Sequence, residues 1–457
     1  MRDLYEHAFR AVLFPLFEGP LKRRHTHVYL KDYERSQWLD GRALEALQLA
    51  KLNALLRHCW TGVPFLARHW RDAGLGPEPL ARVADLARYP TVDKRLIADH
   101  FDEMRARPAS GRVLTKATGG STGEPFRFEY SEESYARRTA VMWRGYRWAG
   151  ADLGRRTAYV WGSSRPGGGM PVKERLYHRL FNRLMLDGLA LTEDGVARYV
   201  DAIDAFGAAV VVGYVSPLVV MAEHVLARGR RLPRVRAVLT GAEMLHDDQR
   251  RLLREAFGAP VFNTYGCREV MLIASECERQ HGLHVAADHV LVETLGADGA
   301  PVEGRPGQVA LTDLHNHAMP LVRYLNGDVA TGAPGPCPCG RGLPRLARVE
   351  GRELDLIRTP DGRIVPGEFF PHLMKDFDGV REFQVEQLAL DEVEIRLVCS
   401  GLHGEDRRRL ADHVRRRIGG EVRVRLLEVD AIPRTGSGKR RVTISRLRDG
   451  AAAPGPR

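Results

Sequence analysis

The chain has 457 residues, 44% of them hydrophobic, with 69 Lys+Arg against 58 Asp+Glu and a formal net charge of +11. That length exceeds one ordinary core and calls for two or three domains. No apolar run reaches the about 20 residues that cross a bilayer, and the basic residues are spread rather than interleaved with aromatics, which argues against a nucleic-acid surface.

The opening "HAFRAVLFPLFEGPLKRR" holds Glu6 and Glu18 and lacks a small-residue cleavage site, so it reads as a packed helix or surface arm and not as a signal peptide. A cytoplasmic protein is expected. Residues 35–100 read as helical, with apolar spacing in "ALEALQLAKLNALLRHCW" and a Pro-containing exit at "RYPTVDK". "TKATGGSTGEP" (115–125) combines three glycines and four hydroxyl residues, suited to a backbone wrapped round an anion, and the strand-like "FRFEYS" follows. Then "RTAYVWG", "AAVVVGY" and "VRAVLTG" alternate with the helical "SPLVVMAEHVLARG" and "HDDQRRLLREAFG", which predicts βαβ units and a largely parallel sheet. From 282 to 330 the strands "HVLVET", "GQVALTDL" and "LVRYLNGDVA" come closer together, as in a smaller antiparallel subdomain. The tail from about 350 has its own pattern: "REFQVEQL", "EVEIRLVCS", a helix over 405–418 and "EVRVRLLEV". The basic runs "RGRRLPRVR" and "DRRRLADHVRRRIGG" read as a loop and the solvated face of a helix.

Five collinear segments carry more than any one of them: "TGGSTGEP", "NTYGCREV" (263–270), "MPLVRYLNGDVA" (319–330), "VEGRELDLI" (349–357) and "PRTGSGKRRV" (433–442). In this order and spacing they resemble the adenylate-forming superfamily of acyl-CoA synthetases and adenylation domains, over about residues 50 to 442. The nearest branch is that of the phenylacetate–CoA ligases and their capsule-biosynthesis-associated relatives. The resemblance implies an α/β fold with a large N-terminal adenylate-forming domain (1–349) of mixed and parallel sheets, and a small α+β mobile domain (350–457).

It also implies roles. Thr118, Gly119, Gly120, Ser121, Thr122 and Gly123 would embrace the leaving pyrophosphate of ATP. Tyr265 would stack on adenine beside Gly266, with Gly241, Ala242 and Glu243 of "TGAEML" lining the same slot. Glu269 would hold Mg2+, and Arg268, where relatives carry Ser or Thr, would meet a phosphate by charge. Asp328 would accept the ribose hydroxyls, Arg352 would lie on the ribose side, and Asp355 would serve as the hinge. Lys439 would reach the substrate carboxylate and the α-phosphate. Trp143, Tyr146 and Tyr214 lie where this branch builds its acyl pocket, which points to an aromatic or small acid.

Six cysteines, Cys59, Cys267, Cys277, Cys337, Cys339 and Cys399, in a reducing compartment do not suggest disulfides. Cys277, His284, Cys337 and Cys339 resemble the ligand set of metal-bearing members of the branch, and Cys3His is structural zinc by type and count. His281 is the rival of His284, and Cys267 is assigned to packing.

The activity implied is ATP-dependent conversion of a carboxylic acid to an acyl-adenylate, then transfer to coenzyme A while the C-terminal domain rotates. An amine, a carrier-protein thiol or a cofactor hydroxyl receiving AMP are alternative acceptors. A catalytically inactive nucleotide-binding protein is the other reading, favoured by Glu124, Arg268 and Leu354. The partners implied are the acid, ATP and the acceptor, with room for a homodimer and with neither nucleic acid nor membrane insertion.

Overall fold

The computed structural model describes residues 4–108, 111–117, 126–161, 171–188, 193–352, 356–360, 364–366, 369–374, 376–377, 379–400, 402–433 and 442–447. The chain divides into two compact units, one of Met1–Ala117, Arg127–Asn326 and Ala330–Val349, the other of Thr118–Phe126, Gly327–Val329 and Glu350–Arg457.

The first unit begins with helical turns over residues 4–21, then the helices Thr26–Ser36, Gly41–Gly62 and Pro64–Asp72. Gly41–Gly62 starts where the Asp40 carboxylate accepts from the Ala43 amide, and it buries Leu44, Leu52, Leu55, Leu56 and Cys59 on one stripe. Strands β1 (Val113–Ala117) and β2 (Arg127–Ser131) form an antiparallel pair that brackets the glycine loop.

One eleven-stranded sheet organises the rest. Strands β3 (Thr157–Trp161), β4 (Arg183–Asp187), β5 (Val210–Tyr214), β6 (Ala237–Gly241) and β7 (Val261–Cys267) pair in parallel in the order β4-β3-β5-β6-β7. The helices Glu193–Phe206, Val215–Ala227 and Asp247–Phe257 are their crossovers. Val200, Ile203, Leu218, Met221, Val225 and Leu253 from these helices pack on Val160, Val211 and Val238. Burial on both faces explains the unbroken apolar runs of β5 and β6.

β7 changes the character of the sheet. It is parallel to β6 and antiparallel to β8 (Met271–Glu276), so the antiparallel strands expected after residue 282 continue the parallel ones instead of standing apart. Beyond β8 lie β9 (Leu283–Val285), β13 (Arg345–Arg352), β12 (Tyr324–Ala333), β11 (Pro306–Asp313) and β10 (Val290–Leu295).

A buried polar network fastens the N-terminal helices to this half. Arg144 makes a two-pronged contact with Asp288 (2.6 and 2.9 Å) and donates to the Tyr33 carbonyl. Lys51 donates to the Asp288 carbonyl, Tyr33 Oη lies 2.8 Å from His289 Nδ1, and His289 stacks on His315 at 5.3 Å.

The second unit holds a β14–β15 pair (Leu356–Arg358 and Ile364–Pro366) and a four-stranded sheet, β18-β17-β16-β19. Its strands are β16 (Val380–Ala389), β17 (Glu392–Cys399), β18 (Arg423–Glu428) and β19 (Thr443–Ser445). Leu410, Val414 and Ile418 of the helix Gly404–Ile418 cover Val385, Val393, Ile395 and Leu397, while Arg408, Arg409 and Arg416 face water as the basic run predicts.

Candidate active site

The strand order places a crevice before any residue is assigned. The chain leaves β3 toward β4 on one side and returns to β5 on the other, so the connections diverge at the carboxyl ends of β3 and β5, where doubly wound sheets take their ligands. Trp161 and Tyr214 end these strands and stack on each other at 4.3 Å, 26° apart. Tyr146 packs with Tyr159 and Trp161 on the sheet face that carries Val210, Val212 and Phe262, and burial raises its pKa. Trp143 is placed differently: the Arg183 guanidinium lies over it at 5.0 Å, with Phe181 and Tyr177 on its other sides. Of the three residues expected at an acyl pocket, Tyr214 stands at this switch point beside Trp161, Tyr146 packs on the sheet face with Tyr159, and Trp143 lies by Arg183.

The turn after β6 is tight. A Cβ on Gly241 would lie 2.6 Å from Thr264 Oγ1, and Ala242 has φ +64°, a left-handed value that costs a non-glycine residue free energy and gathers at functional sites. Glu243 accepts from the Ser216 amide at 2.6 Å, tying this turn to the start of the helix Val215–Ala227. On the next strand Gly266 sits at a register shift, where a Cβ would meet the Met271 carbonyl at 2.2 Å. Only glycine fits there, and it sets the direction of the residues that follow.

These residues connect segments far apart in the chain. Tyr265, 8% exposed, receives a hydrogen bond on its hydroxyl from Asn326 Nδ2 at 2.9 Å. Arg268 donates to the carbonyl of Ala117, the last residue of β1 before the glycine loop, at 2.9 Å. Glu269 is 2% exposed; Oε1 accepts from Tyr324 Oη at 2.8 Å and lies 3.6 Å from Lys94 Nζ. A single, oriented carboxylate suits Mg2+, which takes one or two protein carboxylates and completes its shell with phosphate and water. Asp328 is half-buried on β12, after Gly327 at φ +84°. Lys94, Tyr324, Asn326 and Trp161 are absent from the sequence assignments because each acts through a contact distant in the chain. Lys94 sits in "RYPTVDK", whose proline suggested only a helix exit.

Thr118, Gly119, Gly120, Ser121, Thr122, Gly123, Asp355 and Lys439 lie outside the described residues, as do Glu124 and Leu354. Arg352 ends β13, and its side chain is likewise outside them.

The cysteine cluster assembles. One ligand atom each from Cys277, His284, Cys337 and Cys339 lies within 4.8 Å of all the others. Cys277 Sγ and Cys337 Sγ are 3.8 Å apart, and Cys339 Sγ is 3.3 Å from His284 Nε2. Two Zn–S bonds of about 2.3 Å at the tetrahedral angle hold their sulfurs about 3.8 Å apart. His284 Nδ1 faces the Leu343 carbonyl at 3.2 Å, a partner that fixes the proton on Nδ1 and leaves the Nε2 lone pair for a metal. Burial lowers the His284 pKa to about 4 and raises that of Cys277 to about 12. His281 is instead beside Arg345, its Nδ1 3.0 Å from Nη1.

Residues 357–446 match the family model of the CapK C-terminal domain. The chain is 28% identical to the phenylacetate–coenzyme A ligase of Thermus thermophilus over 88% of its own length and 96% of that protein. It is 24% identical to the Escherichia coli phenylacetate–coenzyme A ligase over 86% and 92%. Crystal structures of 2-hydroxyisobutyryl-CoA ligase superpose on it with TM-score 0.69 in complex with R3-HIB-AMP (19% identity; 90% of this chain, 91% of that one) and 0.63 in complex with 2-HIB-AMP and CoA (20%; 90% and 93%).

Proposed function

We propose, for a chain that has the adenylate-forming fold and is related to the phenylacetate–coenzyme A ligases, that it is an AMP-forming acid–coenzyme A ligase. In the first half-reaction a carboxylate oxygen bonds to the α-phosphorus of ATP and pyrophosphate leaves. In the second, the coenzyme A sulfur bonds to the acyl carbon, its proton passes to solvent, and AMP leaves. The observation that carries the reading is the meeting of three separate motifs at residues 265–269, through Tyr265 to Asn326, Arg268 to Ala117 and Glu269 to Tyr324.

In this scheme 118–123 bind the β- and γ-phosphates, with Arg268 anchoring the strand that delivers them. Tyr265 stacks on adenine beside Gly241, Ala242, Glu243 and Gly266, while Asp328 and Arg352 take the ribose. Glu269 would hold Mg2+, which would supply charge neutralisation on the leaving pyrophosphate. Lys439 supplies the cation at the α-phosphate, where charge develops. Residues 350–457 act as the mobile domain, with Asp355 as its pivot. Trp161, Tyr214 and Tyr146 favour a flat, aromatic acid. Cys277, His284, Cys337 and Cys339 would hold a structural zinc, and four protein ligands would leave no position for substrate.

Hydroxamate trapping with ATP, Mg2+ and a panel of aromatic and aliphatic acids tests the activity. Hydroxamate should form with at least one acid and rise with the aromatic ones. ATP binding without hydroxamate from any acid would instead identify an inactive nucleotide-binding protein.

A further inference from the structure

The arm at residues 4–21 takes no part in that chemistry, and it has two unlike faces. Inward, Phe9, Phe14 and Phe17 close on Phe181, and Tyr5 Oη donates to the Leu180 carbonyl at 2.7 Å. Outward, Leu4, Ala8, Val12, Leu16 and Pro20 recur every fourth residue, and all are exposed. A plain α-helix would carry such a series slowly round its axis, because four residues overshoot the turn of about 3.6. Here Phe9–Leu13 and Phe17–Leu21 are wound in wider turns with i→i+5 bonds, which hold the series to one side.

A second helix packs on the arm and adds exposed apolar side chains. Val172–Leu180 meets the arm where Phe17 packs on Tyr177, and it sets Val172 and Leu176 one turn apart, 67% and 61% exposed. With Leu4 at 88%, Leu16 at 54% and Leu21 at 69%, the two packed elements carry five strongly exposed large apolar side chains, and such a concentration marks an interaction surface.

Charge selects the occupant. Arg23, Lys173 and Arg179 are exposed along the two elements, and Lys22 stands over the Phe17 ring at 5.4 Å. The arm's own carboxylates are engaged, Glu6 with Arg155 and Glu18 with the Thr26 hydroxyl; Glu174, beside His178, is the acidic group on the second helix. A second copy of the chain, docked about a twofold axis, would set these cations against themselves. Lipid phosphates would complement them.

We propose that the arm and the helix Val172–Leu180 form a docking surface for an anionic lipid bilayer, on which the protein adsorbs without crossing it. The apolar side chains enter the headgroup region while Lys22, Arg23, Lys173 and Arg179 meet phosphate. Among the described residues no helix is long and apolar enough to cross a membrane.

Sedimentation of the full chain with vesicles tests this, using phosphatidylcholine alone and phosphatidylcholine mixed with phosphatidylglycerol. The protein should pellet with the mixed vesicles and be released by salt. The double variant Leu16→Asp/Leu176→Asp should bind roughly tenfold or more weakly. Both positions are exposed, so its circular dichroism and melting temperature should match the parent. The pair Lys173→Glu/Arg179→Glu tests the charge alone and should also bind more weakly. Hydroxamate formation without vesicles should be unchanged in all variants. No pelleting with either vesicle, or equal pelleting of parent and variants, overturns the proposal. So does a concentration-dependent dimer abolished by Leu16→Asp/Leu176→Asp, which would assign the face to a second copy.

Discussion

At the scale of single residues, the proposed nucleotide site can be tested one side chain at a time. Asp328 is assigned to the ribose hydroxyls, and a hydrogen bond to a charged group contributes about 1.5–3 kcal/mol. Asp328→Ala should therefore weaken ATP binding roughly ten- to a hundredfold, and an unchanged dissociation constant by calorimetry would remove the residue from the site. The buried imidazoles make a different prediction. Burial lowers the pKa of His289 and of His315 well below the ordinary value of 6.5, and Lys51 and Arg137 push the same way. Below that pH the unfolded chain binds protons that the folded chain refuses, so stability must fall as pH drops through about 6.5. Denaturant midpoints taken between neutral and mildly acid pH should decline, and His289→Gln should flatten the slope. A flat profile in the parent would show that the pair titrates alike folded and unfolded.

At the scale of elements, the Cys/His cluster is the sharpest case. Cys277 and His284 flank the start of β9, while Cys337 and Cys339 lie in the loop between β12 and β13, so a metal would close a long loop onto the strands behind Tyr265. Elemental analysis of protein purified without added metal should find about one zinc per chain, the content of a single four-ligand structural site. Cys339→Ser should lower metal content and melting temperature together, because structural metal binding is linked to folding. Full stability in a metal-free preparation would refute the assignment. Strands β5 and β6 were legible because burial on both faces leaves a continuous apolar run. β4 was not: Arg183 and Asp187 at its ends are polar, and Leu186 alone among its five residues is buried. β9 is three residues long, too short for any period to register. In the site, motif residues such as Glu269 could be read locally, but Lys94 and Tyr324 acquire meaning only from pairing across the fold.

At the scale of the whole molecule, the proposed division of labour gives the two half-reactions different dependence on one lysine. Lys439→Ala should slow acyl-adenylate formation roughly 10²–10³-fold, the loss typical of removing a single group that stabilises developing charge. ATP binding should barely change, because that interaction strengthens in the transition state. Transfer from a preformed acyl-adenylate to coenzyme A should fall far less. Equal losses in the two half-reactions, measured by pyrophosphate exchange and by thioester formation, would contradict a lysine that serves only the first. The strand order of the large sheet also has a consequence for biosynthesis. β13 is inserted between β12 and β9, and it pairs with β9 through Arg345 and Leu346. On the ribosome, β9 must therefore wait about sixty residues with one edge unsatisfied, the kind of edge that templates aggregation. A nascent chain stalled before residue 345 should accordingly lean on chaperones more heavily than one released just after it.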